Sequence, residues 1–194
     1  MSRPAVVVRD AVEDDLPALL LMWTELRDLG GRMERLMPGP DDEAMRKRLV
    51  EVDADPYSRA LVAVVDGEVA GMVLLTYTAY APLFDQQAVH AHYLHVRDGF
   101  RRRGVGKALL AAAVAFAEET GAEHVMTSVL PQLRETQRFY ARLGMSPVVV
   151  RRSAPLSVLR RRLAPSGAAT VTDSLLARRR SLRRVRAAVA RVSD

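Results

Sequence analysis

The sequence feature that most constrains the fold is a strand that runs through a glycine loop into a long helix. Residues 88–96 alternate in the manner of a β-strand, and the spacing Arg101-x-x-Gly104-x-Gly106 follows. An alanine-rich stretch over residues 104–120 then ends at a glycine, as helices commonly do. Strict alternation along the strand predicts two faces, one with His90, His92, Leu94 and Val96 and the other with Val89, Tyr93 and His95.

The glycine loop carries groups suited to a diphosphate. The first backbone amides of a helix have no internal acceptor, and the helix dipole adds partial positive charge there. Two glycines let an anion approach the backbone without meeting a Cβ atom. Fixed positive charge comes from Arg101, Arg102, Arg103 and Lys107. A plain strand-to-helix turn with solvated arginines remains the alternative at this point.

Two other phosphate-binding motifs do not match this loop. A Walker loop requires Ser or Thr after its lysine, whereas Ala108 follows Lys107. A dinucleotide-binding fold places its glycines directly after the first strand, whereas this loop comes late, after a long antiparallel section.

The remaining elements follow from hydrophobic periodicity and from turn residues. Strands are predicted at residues 5–9, 60–65, 69–77, 88–96 and 123–130, and helices at 16–29, 41–52, 104–120 and 133–143. A closing hairpin is predicted from residues 148–152 and 156–163. This order indicates an α/β (α+β) domain around a mixed sheet.

Composition excludes several classes of site. Cysteine is absent, which excludes a disulfide scaffold, thiolate metal sites, Fe–S clusters and a cysteine nucleophile. The longest apolar run, residues 108–117, is too short to span a bilayer, and the N-terminus has no signal-type apolar region. We therefore expect a soluble cytoplasmic protein without a metal centre or a transmembrane segment.

Charge divides the chain into two unlike parts. Residues 1–150 carry 17 Lys and Arg against 21 Asp and Glu, whereas residues 151–194 carry 12 Arg against two Asp. We predict a domain over residues 1–163 and an Arg-rich extension over 164–194, with a linker and an amphipathic helix. The extension could bind nucleic acid or an anionic surface, lie against the acidic body of its own or a neighbouring subunit, or stay solvated. It contains no aromatic residue for stacking on bases.

A second motif identifies a family. The segment Arg138-Phe139-Tyr140-Ala-Arg-Leu-Gly144-Met145 reads as a short helix that ends at a glycine and leads onward. Together with Arg101-x-x-Gly104-x-Gly106, it resembles the GNAT superfamily of N-acetyltransferases over about residues 5–163. The resemblance implies the GNAT fold, a mixed and mostly antiparallel central sheet flanked by helices. Members of this family commonly form homodimers.

The resemblance also implies a binding site for acetyl-CoA as co-substrate. The strand backbone at Leu94, His95 and Val96 is expected to bind the pantetheine arm, and the glycine loop to bind the pyrophosphate. The implied cofactor-binding residues are Leu94, His95, Val96, Arg101, Arg102, Arg103, Gly104, Val105, Gly106, Lys107, Thr136 and Phe139. One departure is Leu133, which stands where family members commonly have an asparagine that contacts the cofactor arm.

The resemblance assigns the chemistry to two side chains. Tyr140 matches the tyrosine that protonates the departing thiolate, and a phenol suits this role because it stays protonated at neutral pH. His92 stands where the family often has a carboxylate that deprotonates the amine, and a neutral imidazole can do the same. His90 is the second candidate. The implied reaction is direct attack of a primary amine on acetyl-CoA in a ternary complex.

The acceptor site is expected at residues 23–40 and 76–87. Acidic residues there and at the borders favour a cationic substrate, namely Glu25, Asp28, Glu34, Asp41, Asp42 and Asp85. Aromatic side chains at Tyr77, Tyr80 and Phe84 either line the acceptor pocket or pack inside the domain. The alternative function is a catalytically silent acyl-CoA-binding module whose basic tail binds nucleic acid or a partner protein.

Overall fold

The computed structural model describes residues 5–30, 39, 41–81, 85–130 and 132–164. The chain divides into two compact units, Met1–Met145 and Ser146–Asp194. The predicted linker and helix beyond residue 164 lie outside the described residues, as do Glu34 and Phe84.

The first unit is built on a five-stranded sheet with the order β1-β2-β3-β4-β5. Its strands are β1 (Val6–Asp10), β2 (Ser58–Val65), β3 (Glu68–Ala79), β4 (Gln87–Val96) and β5 (His124–Thr127). The first four strands pair antiparallel, and β5 pairs parallel with β4. The mixed, mostly antiparallel sheet is confirmed.

Four helices flank this sheet. They are α1 (Leu16–Gly30), α2 (Asp42–Asp53), α3 (Val105–Thr120) and α4 (Arg134–Arg142). Asp41 caps α2, because its carboxylate accepts the Ala44 amide at 3.0 Å. Buried side chains form two cores, one containing residues of α3 (Val105, Leu109, Ala113 and Phe116) and the other containing residues of α1 (Leu19 and Met22).

A bulge in β4 reverses the alternation of its side chains. Tyr93 has a φ of 54°. Leu74 of β3 lies opposite His92, whereas Met72, two residues earlier, lies opposite His95, so β4 has one extra residue here. Met72 belongs to the α1 core, so His95 faces α1 on the same side as His90 and His92. Leu94 and Val96 pack against the α3 core instead. The two predicted faces were therefore wrong beyond His92, because one extra residue moves every later side chain to the other face.

Two sequence predictions near the C-terminal end of the domain were wrong. β5 ends at Thr127, three residues earlier than predicted. The described residues 145–155 form neither strand nor helix, and Leu156–Arg162 form a helix, α5, in place of the second hairpin strand. Leu156, Leu159 and Leu163 recur at helical spacing, and Pro155 suits the position before a helix start.

Within the ranges that the structure describes, no helix has the length and apolar character needed to cross a membrane.

Candidate active site

The candidate site begins where β4 and β5 separate. In the described part of the chain, the last pair between these strands is Ala91 with Thr127, while β4 continues to Val96. Residues 92–96 therefore have backbone groups on the β5 side that make no ladder contact with that strand. A fork of this kind accepts an extended ligand that hydrogen-bonds to strand backbone, as an added strand would.

The glycine loop directly follows this free stretch of β4. Arg102 has a φ of 63°, and Gly104, the N-cap of α3, has a φ of 93°. The first backbone hydrogen bond of α3 runs from the Ala108 amide to the Gly104 carbonyl at 2.9 Å, so the earlier amides belong to the turn that lacks internal acceptors. A Cβ atom at Gly104 would meet nothing within 4 Å. The space beside these amides suits an anion such as a pyrophosphate.

The basic side chains of the loop are largely exposed and have weak partners. Arg101 lies 2.8 Å from Asp98, and Arg102 lies 3.8 Å from Glu135 at the start of α4. Arg103 stacks its guanidinium over the Phe100 ring. Exposed pairs of this kind are worth little, so the arginines can exchange them for phosphate at small cost.

Two glycines bring the site's elements into close contact. A Cβ atom at Gly71 of β3 would lie 2.7 Å from the His95 carbonyl oxygen, so this position of β3 requires glycine. A Cβ atom at Gly106 would lie 3.4 Å from Phe139 Cζ, which places the start of α3 against α4. The two sequence motifs are therefore neighbours in space.

Tyr140 lies at the fork between β4 and β5. Its side chain is 5% exposed, and its hydroxyl lies 3.5 Å from Thr127 Oγ1. Thr127 Oγ1 also donates to the Ala91 carbonyl at 3.0 Å, at the last pair of the two strands. Burial raises the pKa of Tyr140 above its usual value of 10, so the phenol is protonated at physiological pH.

The strand histidines line the α1 side of β4. The rings of His90 and His92 stack with centroids 5.8 Å apart, and His92 Nε2 lies 3.0 Å from Thr76 Oγ1. If the Thr76 hydroxyl accepts from Nε2–H, Nδ1 of His92 carries the lone pair; the opposite tautomer uses Nε2 as the acceptor. The first arrangement is the one in which Nδ1 of His92 is the unprotonated ring nitrogen.

His95 forms a hydrogen-bond contact that sequence reasoning missed. Its Nε2 lies 2.6 Å from Glu25 Oε2 on α1, and its side chain is 5% exposed. The two residues are seventy positions apart, and only the bulge at Tyr93 turns His95 toward α1. No local pattern in the sequence signals this contact.

The other predicted residues are distributed around this centre. Leu133 is the N-cap of α4 and has no side-chain oxygen to offer, and Thr136 lies in the first turn of the same helix. Tyr77 stacks on Tyr57 with ring centroids 5.5 Å apart, and Tyr80 lies against His124. Among the described residues, no group of three or more His, Asp or Glu could hold a metal ion.

Comparison with known proteins identifies the family. The model of the Acetyltransferase (GNAT) family matches residues 23–145, which include the fork, the glycine loop and the Phe139-Tyr140 helix. The chain belongs to this family. Streptothricin acetyltransferase of Streptomyces lavendulae is 34% identical over 95 residues, which are 48% of this chain and 47% of that protein. The chain spans about half the length of the curated relatives it matches.

Solved structures share the GNAT fold. A transcriptional regulator from Bacillus halodurans C-125 superposes with a TM-score of 0.66 at 22% identity, over 78% of this chain and 100% of that chain. The aminoglycoside N-acetyltransferase AAC(6')-Iy, in complex with a bisubstrate analogue of CoA and acetylneamine, superposes with a TM-score of 0.58 at 23% identity, over 78% and 99% of the two chains. At these identities the likeness concerns the fold alone.

Proposed function

We propose that this protein is an N-acetyltransferase that moves the acetyl group of acetyl-CoA to a primary amine. The observation that carries the proposal is the convergence at one place of the β4–β5 fork, the open glycine loop and the buried Tyr140. Each is suited to a different part of acetyl-CoA. Family membership supports the same reaction class.

The cofactor arm would lie in the fork. The backbone of Leu94, His95 and Val96 would hydrogen-bond to the pantetheine, and an amide there would polarise the thioester carbonyl. The pyrophosphate would bind the amides from Gly104 to Lys107, with Arg101 to Arg103 adding charge. Phe139 and Thr136 would complete the wall on the α4 side, where Leu133 cannot supply a polar contact.

The transfer would proceed by direct attack. The neutral amine attacks the thioester carbon, and a tetrahedral oxyanion forms. The C–S bond then breaks, and the thiolate takes the phenolic proton of Tyr140. The nitrogen loses its remaining extra proton as the amide forms, and this proton returns to the phenolate through solvent. No cysteine exists to form an acyl-enzyme, so a thioester relay is excluded.

His92 would accept the proton that an ammonium must lose before it can attack. The role requires the tautomer in which Nε2–H donates to Thr76, so that Nδ1 carries the lone pair. His92 lies on the α1 side of β4, next to the free stretch of the strand.

Small cationic antibiotics are the first acceptors to test. One relative is named for streptothricin, and the bisubstrate analogue bound to one structural neighbour contains acetylneamine. Both suggest small molecules with several amino groups. A homodimer is the expected assembly, which analytical ultracentrifugation would measure.

The alternative is a silent acyl-CoA-binding module. Leu133 favours it, because an apolar residue there removes a contact to the cofactor arm. Release of free CoA in the presence of streptothricin or neamine, followed with a thiol reagent, separates the two proposals. Turnover supports the enzyme, whereas acetyl-CoA binding without CoA release on any amine supports the silent module.

A further inference from the structure

The contact between Glu25 and His95 fixes a carboxylate on the α1 side of the site. His95 belongs to the stretch of β4 that extends beyond its pairing with β5. Its contact with Glu25 therefore holds the Glu25 carboxylate next to this stretch, on the face of the sheet that is opposite to α3. His95 is 5% exposed, whereas the Glu25 side chain is 33% exposed. The imidazole is therefore covered, and the carboxylate remains accessible to a ligand.

Burial makes the imidazole of His95 a neutral donor. Burial lowers its pKa below the usual value of 6.5, and this outweighs the opposing effect of Glu25. Arg101 lowers the pKa further, and Asp98 raises it. A neutral ring whose Nε2–H points at a carboxylate fixes that carboxylate without cancelling its charge.

Among the described residues, Arg97 is the arginine that makes an ion-pair contact with Glu25, and its guanidinium also contacts other groups. Its Nε lies 3.9 Å from Glu25 Oε1, beyond hydrogen-bond distance. Its guanidinium donates to the Val69 carbonyl at 3.2 Å and lies over the Phe100 ring. Glu25 Oε1 thus keeps room for a second cationic partner.

Two aromatic residues, one on α1 and one at the β4 bulge, pack against each other. Trp23 precedes Glu25 by two residues on α1, and its ring packs edge to face on Tyr93 with centroids 5.0 Å apart. Tyr93 is 46% exposed at the bulge. Aromatic faces and a fixed carboxylate are the surroundings that bind organic ammonium groups.

We propose that Glu25, positioned by His95, is the counter-ion for a second cationic group of the acceptor, so that the preferred acceptors are diamines and polyamines. This inference rests on the proposed acetyltransferase function. The reacting nitrogen is not the partner of Glu25, because a carboxylate stabilises the ammonium form, which cannot attack a thioester. The second nitrogen stays protonated throughout.

The test compares a diamine with a monoamine of the same chain length, putrescine with n-butylamine. We expect the kcat/KM of the wild type to be about tenfold higher for putrescine than for n-butylamine, which is the effect of one hydrogen bond to a charged group. Most of this difference should come from a lower KM. Glu25→Gln should bring this ratio to about one. Glu51→Gln is the matched control, because it removes a carboxylate from an exposed ion pair with Arg48 and should keep the ratio.

The positioning role of His95 needs its own pair of variants. His95→Gln keeps an N–H donor near the place of Nε2 and should keep most of the putrescine preference. His95→Leu removes the donor and should lose the preference. Added salt should also reduce the ratio in the wild type, because it screens a half-exposed charge pair. Calorimetry with acetyl-CoA on each variant separates a lost preference from a lost fold.

Three results would overturn the inference. One is a Glu25→Gln variant that still prefers putrescine, and another is a wild type that acetylates both amines equally. The third is a wild type that binds acetyl-CoA and acetylates neither amine. The first two leave the proposed acetyltransferase function intact, whereas a wild type that does not bind acetyl-CoA refutes that function itself.

Discussion

The ring of Phe139 lies against Gly106, so the helix that begins at the glycine loop and the helix that carries Tyr140 meet at this pair. A Cβ atom at Gly106 would lie 3.4 Å from Phe139 Cζ and 3.7 Å from Val96 Cγ2. The loop, the free end of β4 and the Phe139-Tyr140 helix are thereby fixed relative to one another.

Alanine at Gly71 and alanine at Gly106 should behave differently. The added methyl at Gly71 meets the backbone oxygen of His95 at 2.7 Å, which cannot move without the strand, so we expect a loss of about 1–3 kcal/mol. At Gly106 the added methyl would make an ordinary van der Waals contact. Because alanine favours a helix more than glycine does, the variant should be stabilised by up to about 1 kcal/mol. Urea unfolding measures both, and equal losses would show that the close approach at Gly71 is not rigid.

Tyr140→Phe should lower kcat by about 100-fold with little change in acetyl-CoA affinity. Phenylalanine fills the same buried space, so only the proton donor is lost. Because burial raises the pKa of Tyr140, any loss of kcat from phenol ionisation in the wild type should have its midpoint above the ordinary tyrosine value of about 10. Tyr57→Phe, at an exposed tyrosine, is the control. An unchanged kcat in Tyr140→Phe would remove the general acid from the mechanism.

Thr76→Val should reduce kcat if His92 accepts the proton through Nδ1. Valine has nearly the shape of threonine but cannot accept from Nε2–H, so the productive tautomer loses its support. We expect about a tenfold loss below the pKa of the acceptor amine and a smaller loss above it, where the amine is already neutral. The pH profile of kcat/KM is the measurement. A loss that is the same at every pH would indicate a packing defect.

Asp15→Asn should destabilise the fold at neutral pH by about 2 kcal/mol. The Asp15 carboxylate accepts from Arg9 at 2.6 and 2.9 Å and from the Val12 amide, and the bonds from Arg9 are the main reason that its pKa is lowered. A lowered pKa contributes stability above the unfolded-state value of about 3.9, and this stability is lost as the pH falls through the folded-state value. The difference between wild type and variant should therefore shrink below about pH 4. Glu13→Gln, in an exposed pair with Arg46, should change stability little.

Periodicity and turn residues were sufficient to predict most of the fold. The alternation of β2 and β3 about Asp66-Gly67, the apolar repeat of α1 and the alanine-rich α3 are all local signals, and each predicted element is present. The glycine loop and the Phe139-Tyr140 helix could also be located, because their spacing is contained in two short segments.

The bulge at Tyr93 could not be predicted. It is defined by the register between β4 and β3, and a tyrosine at positive φ has no sequence signature. The partner of His95 was missed for the same reason. The predicted closing hairpin was wrong because the β-branched residues Val148 to Val150 favour a strand but form none, and Leu156 and Leu159 recur at helical spacing.

Calorimetric titration of acetyl-CoA into the wild type, Gly104→Ala and Gly67→Ala tests whether the cofactor binds at the glycine loop. Both glycines have positive φ and open space around the missing Cβ, so both alanines cost about 1 kcal/mol of backbone strain. Only Gly104 faces the predicted pyrophosphate. We expect Gly67→Ala to bind as the wild type does and Gly104→Ala to raise Kd at least about tenfold. Equal affinities in all three proteins, or no binding by the wild type, would contradict binding of acetyl-CoA at the glycine loop.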